Sequence, residues 1–152
     1  MANYDFKKDL IEGEDGEKVV LKDLLSMGGI YISDNKNNKF DLMISKGGKE
    51  ITYEIKTDVY CKPDRDTGNM FIEYECRNKP SGLLVSEADW FVTYYKYLNE
   101  IWYIKTNELY DLVDNTDFKE TSNSGDEGSN TKGFLIPRFQ YRSHFKVRTI
   151  NG

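Results

Sequence analysis

The sequence predicts a small α/β domain, and three observations carry that prediction. Residues 40–45 (FDLMIS) and 51–56 (ITYEIK) are short runs rich in β-branched and aromatic residues, separated by the turn Lys46-Gly47-Gly48-Lys49. Upstream, Val20, Leu21, Leu24 and Leu25 recur at helical spacing. Downstream, strand-like runs over 68–76, 90–97 and 101–105 lead into a helical stretch at 107–113. At 152 residues the chain has the size of one domain with a sizeable core. Apolar content is modest at 38%, but 11 Tyr and 8 Phe supply bulky packing material.

Taken in order, residues 17–29 read as the end of an amphipathic helix capped by Gly28 or Gly29. The hairpin follows, and strand alternation puts Thr52, Glu54 and Lys56 on one face and Ile51, Tyr53 and Ile55 on the other. A third strand runs from Gly68 to Cys76, and a loop containing Ser81-Gly82 leads to Ala88-Asp89-Trp90. Trp90–Tyr97 and Ile101–Lys105 are strands joined by a turn at Leu98-Asn99-Glu100, and Thr106 suits the N-cap of the helix after it. Tyr94, Tyr95 and Tyr97 read as ordinary strand aromatics. Residues 114–132 are polar and poor in apolar residues, which predicts a flexible acidic loop.

The hairpin also carries chemistry. It can bring Asp41 close to Glu54 and Lys56, placing two carboxylates and an ammonium on a rigid platform. Two convergent carboxylates bind a hard divalent cation such as Mg²⁺. The lysine can stabilise charge on an attacking water or a transition-state phosphate. An Asp, a gap and then Glu-Ile-Lys resembles the core motif of the PD-(D/E)XK nuclease superfamily. The flanking segments add to the likeness: a preceding helix ending in Gly, and the run Gly68-Asn69-Met70-Phe71-Ile72-Glu73 followed by Ser81-Gly82 and Ala88-Asp89-Trp90. The resemblance spans residues 5 to 106, with Phe40 standing where the motif has a Pro.

What the resemblance implies is specific. The fold would be a restriction-endonuclease-like core, a central mixed β-sheet flanked by helices, occupying residues 1–152 as a single domain. The activity would be Mg²⁺- or Mn²⁺-dependent hydrolysis of DNA phosphodiesters, leaving 5′-phosphate and 3′-hydroxyl ends. A structure-selective endonuclease of the Holliday-junction-resolvase type is the first choice. Asp41, Glu54, the Ile55 carbonyl and Glu17 would hold the metal, with Glu14 competing for the last place. Lys56 would orient or deprotonate water. Glu73 is an accessory acid, with Glu75, expected on the same face, as the alternative. The implied partners are DNA and a second copy of the chain, in the cytoplasm of a bacterium or phage-infected cell.

Charge works against this reading, because DNA-binding domains are usually basic and this chain carries −5. Residues 108–127 hold seven acids against Lys119, however, so the remainder sums to +1. Candidate DNA contacts are Lys62 and Arg65 after the Glu-Ile-Lys strand, Arg77 with Lys79, and a C-terminal basic segment of Arg138, Arg142, His144, Lys146 and Arg148. An exonuclease, or a non-catalytic DNA-binding or DNA-mimicking inhibitor on the same fold, are the alternatives; acidic balance favours the mimic and the intact Asp-Glu-Lys trio disfavours it. No apolar run approaches the ~20 residues of a membrane span. Met1–Asp5 lacks the pattern of a secretory signal. Cys61 and Cys76 have no neighbouring His or Cys, so they read as free thiols of a reducing compartment.

Overall fold

The computed structural model of the chain describes residues 6–34, 40–124 and 130–150. Its elements are α1 (Phe6–Ser26), β1 (Ile30–Asp34), β2 (Leu42–Lys46), β3 (Lys49–Asp58), β4 (Asn69–Cys76), β5 (Lys79–Pro80), β6 (Trp90–Tyr95), β7 (Glu100–Lys105), α2 (Thr106–Asn115), β8 (Lys119–Ser124), β9 (Thr131–Pro137) and β10 (Lys146–Thr149). Six strands form the central sheet in the order β1-β2-β3-β6-β7-β10, and β5-β4-β9-β8 form a second one. The central sheet is mixed: β3 and β6 are parallel and every other neighbour is antiparallel. The architecture is therefore α/β, with two helices. No helix among the described residues is long and apolar enough to cross a membrane.

Helix α1 stops where its sequence says it should. Gly29 donates its N–H to the Leu24 carbonyl and Gly28 to that of Leu25, both at 3.1 Å, while Gly28 takes φ +93°. That is a Schellman cap, and the left-handed residue it needs is a glycine at little steric cost. The buried stripe of α1 differs from the expected one. Val20 and Leu24 face inward with Asp23, whereas Leu25 is 42% exposed. The inward set Val20, Asp23, Leu24 follows i, i+3, i+4 spacing more closely than the purely apolar choice. Asp23 is tolerated there because the Tyr103 hydroxyl donates to it at 2.8 Å and Arg148 Nε at 2.8 and 3.0 Å.

The two faces of the central sheet serve two cores. Tyr53 and Ile55 of β3, Val92 and Tyr94 of β6, and Ile101 and Tyr103 of β7 pack with Val20 and Leu24 of α1. Full burial of an aliphatic side chain such as Val20 contributes roughly 1.5–3 kcal/mol. The alternate residues Phe91, Tyr95, Trp102 and Ile104 turn the other way. They meet Met70 and Ile72 of β4, Ile136 of β9, and Leu109 and Leu112 of α2.

Three sequence expectations change here. The face opposite α1 is covered mainly by the second sheet rather than by a flanking helix. Within that sheet β4 pairs with β9, and Gly133 of β9 permits the approach, since a Cβ there would lie 2.6 Å from the Ile72 carbonyl and 2.5 Å from the Phe71 ring. The segment 114–132, expected as a flexible loop, supplies β8 and the start of β9; residues 125–129 lie outside the described set. Strand β8 reads as polar because its own described side chains are mostly exposed, yet Phe118 just before it is buried in the core, and Glu120 accepts a hydrogen bond from the Tyr74 hydroxyl. Finally, α2 has Lys105 as its N-cap and takes in Thr106 as its first residue.

Candidate active site

The hairpin forms as the sequence predicts. Gly47 and Gly48 both adopt positive φ (59° and 80°), the requirement of a tight two-residue turn, and β2 pairs with β3 from Lys46↔Lys49 to Leu42↔Tyr53. Asp41 lies one residue before β2, with its N–H donating to the Tyr53 carbonyl at 2.9 Å. Its carboxylate accepts the Ile55 N–H at 2.8 Å. The side chain thereby takes the place in the ladder that a next β2 residue would have held. Ile55 thus has its N–H on the β2 side of β3. The carbonyl of the same residue points to that side too, because paired strand residues exchange both bonds, and it does so beyond the start of β2.

Glu54 and Lys56 share the face turned away from α1, and their side chains pair at 3.4 Å. Burial pushes the Glu54 carboxyl up to about 7; Lys56 pulls it down, and Asp41 raises it through charge and a shared hydrogen bond. Two carboxyls are thus held against each other at the end of β2. Burial works to lower the Lys56 ammonium, but Glu54, Glu73 and Asp41 outweigh it and raise its pKa. Lys56 is 45% accessible, yet the space it opens into is a recess of about 610 Å³ that Glu73 also lines.

Of the predicted residues, Asp41, Glu54, Lys56 and Glu73 converge. The choice between Glu73 and Glu75 is settled by a bulge: the register shifts between them, so they no longer share a face. Glu73 goes to the recess and Glu75 pairs with Lys132 at 3.2 Å. Glu17 is half-buried on α1 beside Gly16, where a Cβ would overlap Thr57 Oγ1, so helix and β3 touch one residue past Lys56. Glu14 lies on the same helix, with its side chain outside the described residues. Among the described residues, no group of three or more His, Cys, Asp or Glu is spaced to hold a metal. Asp89, part of the quoted motif, has a structural task. It accepts from the Thr52 N–H and hydroxyl at 2.9 and 3.1 Å and fastens β3 to β6.

The expected DNA contacts scatter. Lys62 and Arg65 close the turn after β3, and Arg77 and Lys79 lie at the β4–β5 hairpin, where Arg77 and Asn78 both take positive φ. The C-terminal basic segment does not form one patch, and this overturns the expectation. Arg138 is 0% exposed, ion-paired to Asp66 and stacked near Tyr95 and Phe139 at 4.6 and 4.5 Å. Arg148 is committed to Asp23. Lys146 pairs in register with Tyr103 and so shares the α1 face, opposite Lys56. Arg142 is exposed and lies over the Trp102 ring at 5.3 Å. His144 is exposed beside Tyr141, and both cysteines are free thiols. Sequence reading missed the recess itself. Thr93, opposite Lys56 in the β3–β6 ladder, and Asn69 both line it; neither has a chemistry that announces itself.

Comparison with protein-family models, with curated proteins and with solved structures returns no match for this chain.

Proposed function

We propose that this chain is a metal-dependent deoxyribonuclease of the PD-(D/E)XK type. The observation that carries the reading is the pairing of the Asp41 and Glu54 carboxyls at one strand end, with Lys56 3.4 Å from Glu54. A helix ahead of the hairpin, and the α/β core with its mixed sheet, support a restriction-endonuclease-like fold; the sheet covering the second face departs from the helix-flanked form.

The donor set suits Mg²⁺ or Mn²⁺. Two hard carboxylates, Glu54 raised in part by Asp41, flank an edge toward which the Ile55 carbonyl also points. Asp41, Glu54, that carbonyl and Glu17 would hold the ion. A cation bound there supplies charge neutralisation at the phosphate and a bound water of lowered pKa. The protein's own groups do the rest. Asp41, anchored by the Ile55 N–H, fixes the geometry. Lys56, kept protonated by three carboxylates, stabilises charge on the attacking oxygen. Glu73 steadies Lys56 from across the recess. The products would be 5′-phosphate and 3′-hydroxyl ends.

The test is conversion of supercoiled plasmid to nicked or linear DNA in Mg²⁺ or Mn²⁺, with EDTA and Asp41→Asn as controls. Cleavage that survives excess chelator refutes the metal mechanism. No cleavage in either metal, with tight binding to DNA or to a protein partner, makes the chain a binder or DNA mimic instead.

A further inference from the structure

We propose that the recess beside Lys56 receives one unstacked nucleotide, which makes single-stranded or unpaired DNA the preferred substrate. The inference deepens the nuclease reading and rests on it. The recess is lined by residues of both sheets, holds about 610 Å³ and includes Lys56 and Glu73 of the site itself. That volume falls within the ~300–1,000 Å³ of small-molecule sites. A base pair held in the stack of a duplex does not present a single base to a recess of this size; a base swung out of its stack does.

The lining has the chemistry of a base pocket. Phe71 supplies an aromatic wall, while Asn69 and Thr93 bring an amide and a hydroxyl that each donate or accept. Such groups satisfy the edge of any base without selecting one. Tyr60 lines the recess and is also 77% exposed. A ring this open at a pocket rim is placed to stack on a neighbouring base. Lys62, two residues past Tyr60, sits 5.1 Å from the Tyr97 ring and Lys96 5.7 Å from the same ring, so two cations gather at one aromatic near the recess. Exposed aromatics combined with a cationic track are the means by which proteins hold single strands without sequence preference.

Two titrations in chelator decide the matter, one with end-labelled oligothymidylate and one with a blunt hairpin duplex of equal length, followed by cleavage of both in Mg²⁺. The single strand should bind, and be cut, at least about ten-fold better, the scale of one base–aromatic stack. Tyr60→Ala should remove most of that preference and Tyr60→Phe should keep it. Thr121→Trp, which fills the recess from β8, should weaken single-strand binding; if it fails to fold, the exposed Tyr60 pair decides alone. Equal affinity for both DNAs, or a preference untouched by Tyr60→Ala, overturns the inference. Absence of cleavage with the binding preference intact overturns the nuclease reading and leaves the pocket standing.

Discussion

Arg138 offers the sharpest test, because the sequence assigned it to DNA and the structure places it in the core. Its guanidinium is fully buried, paired with Asp66, and also donates to the Asn69 carbonyl at 3.4 Å. Asp66→Asn leaves that cation without its counter-charge. Breaking a buried pair from one side costs about 3–5 kcal/mol; the Asp66 side chain keeps 22% exposure, so the low end applies. At roughly 2–4 °C per kcal/mol for a chain of this size, Tm should fall by about 6–12 °C. Arg138→Met removes the charge but retains the stem and leaves Asp66 in partial contact with water, so it should cost less, about 1–2 kcal/mol. Adding Asp66→Asn to Arg138→Met should cost almost nothing more, which gives a coupling energy of about 3 kcal/mol.

Urea unfolding followed by tryptophan fluorescence is the assay, and Trp102, 5.8 Å from the guanidinium, reports the site directly. pH supplies an independent check. The hydrogen bond from Arg138 holds the Asp66 carboxyl below its ordinary range. A depressed folded pKa stabilises above the unfolded value and loses that stabilisation as pH falls through the folded one. The gap between wild type and Asp66→Asn should therefore close on acidification below about pH 4. Folded Arg138→Met should show the wild-type salt dependence of DNA binding, since no phosphate contact is lost. Wild-type stability together with a shallower salt slope would refute the burial argument and return Arg138 to the DNA surface.

Lys56→Ala should lose about 10²-fold in cleavage rate while calorimetry still detects divalent-metal binding; loss of metal binding in a folded variant would make the lysine a structural part of the metal site. Glu54 is raised to about 7, so in chelator its contribution to stability is present below its unfolded value and lost as pH rises through 7. Wild type should be less stable at pH 8.5 than at 5.5 by at most about 3 kcal/mol, and Glu54→Gln should flatten that slope in denaturant titrations. Replacing 114–132 with a Gly/Ser linker removes β8 and the buried Phe118, so Tm should drop by several degrees; an unchanged Tm would show that the second sheet tolerates loss of its edge.

What was legible in the sequence was whatever rests on local pattern. The Gly-Gly turn, the alternation of β3 and the glycine stop of α1 are properties of a few adjacent residues, and each came through. Asp41, Glu54 and Lys56 converge because one hairpin holds all three, so their spacing already encoded the geometry. Non-local facts were hidden. Strand β4 looks the same whether it joins the central sheet or pairs with β9, and only long-range packing decides. Arg138 is indistinguishable in sequence from a surface arginine until Asp66, 72 residues away, is seen to hold it. Asp23 interrupts an apolar stripe for the same reason, with Tyr103 and Arg148 as distant partners.

One departure bears on how the site works. A single-residue bulge in β4 separates Glu73 from Glu75 and sends one carboxylate to the recess and the other to Lys132. Had the strand stayed regular, both acids would face one way, and Lys56 would meet two charges from β4 where it now meets Glu73, beside Asp41 and Glu54 of the hairpin. The bulge therefore sets how many β4 acids act on the lysine, whose ammonium Glu73 helps to keep protonated. Because strand register in the second sheet decides which β4 carboxylate reaches the lysine, that sheet helps to build the candidate site and is not a cover laid over it.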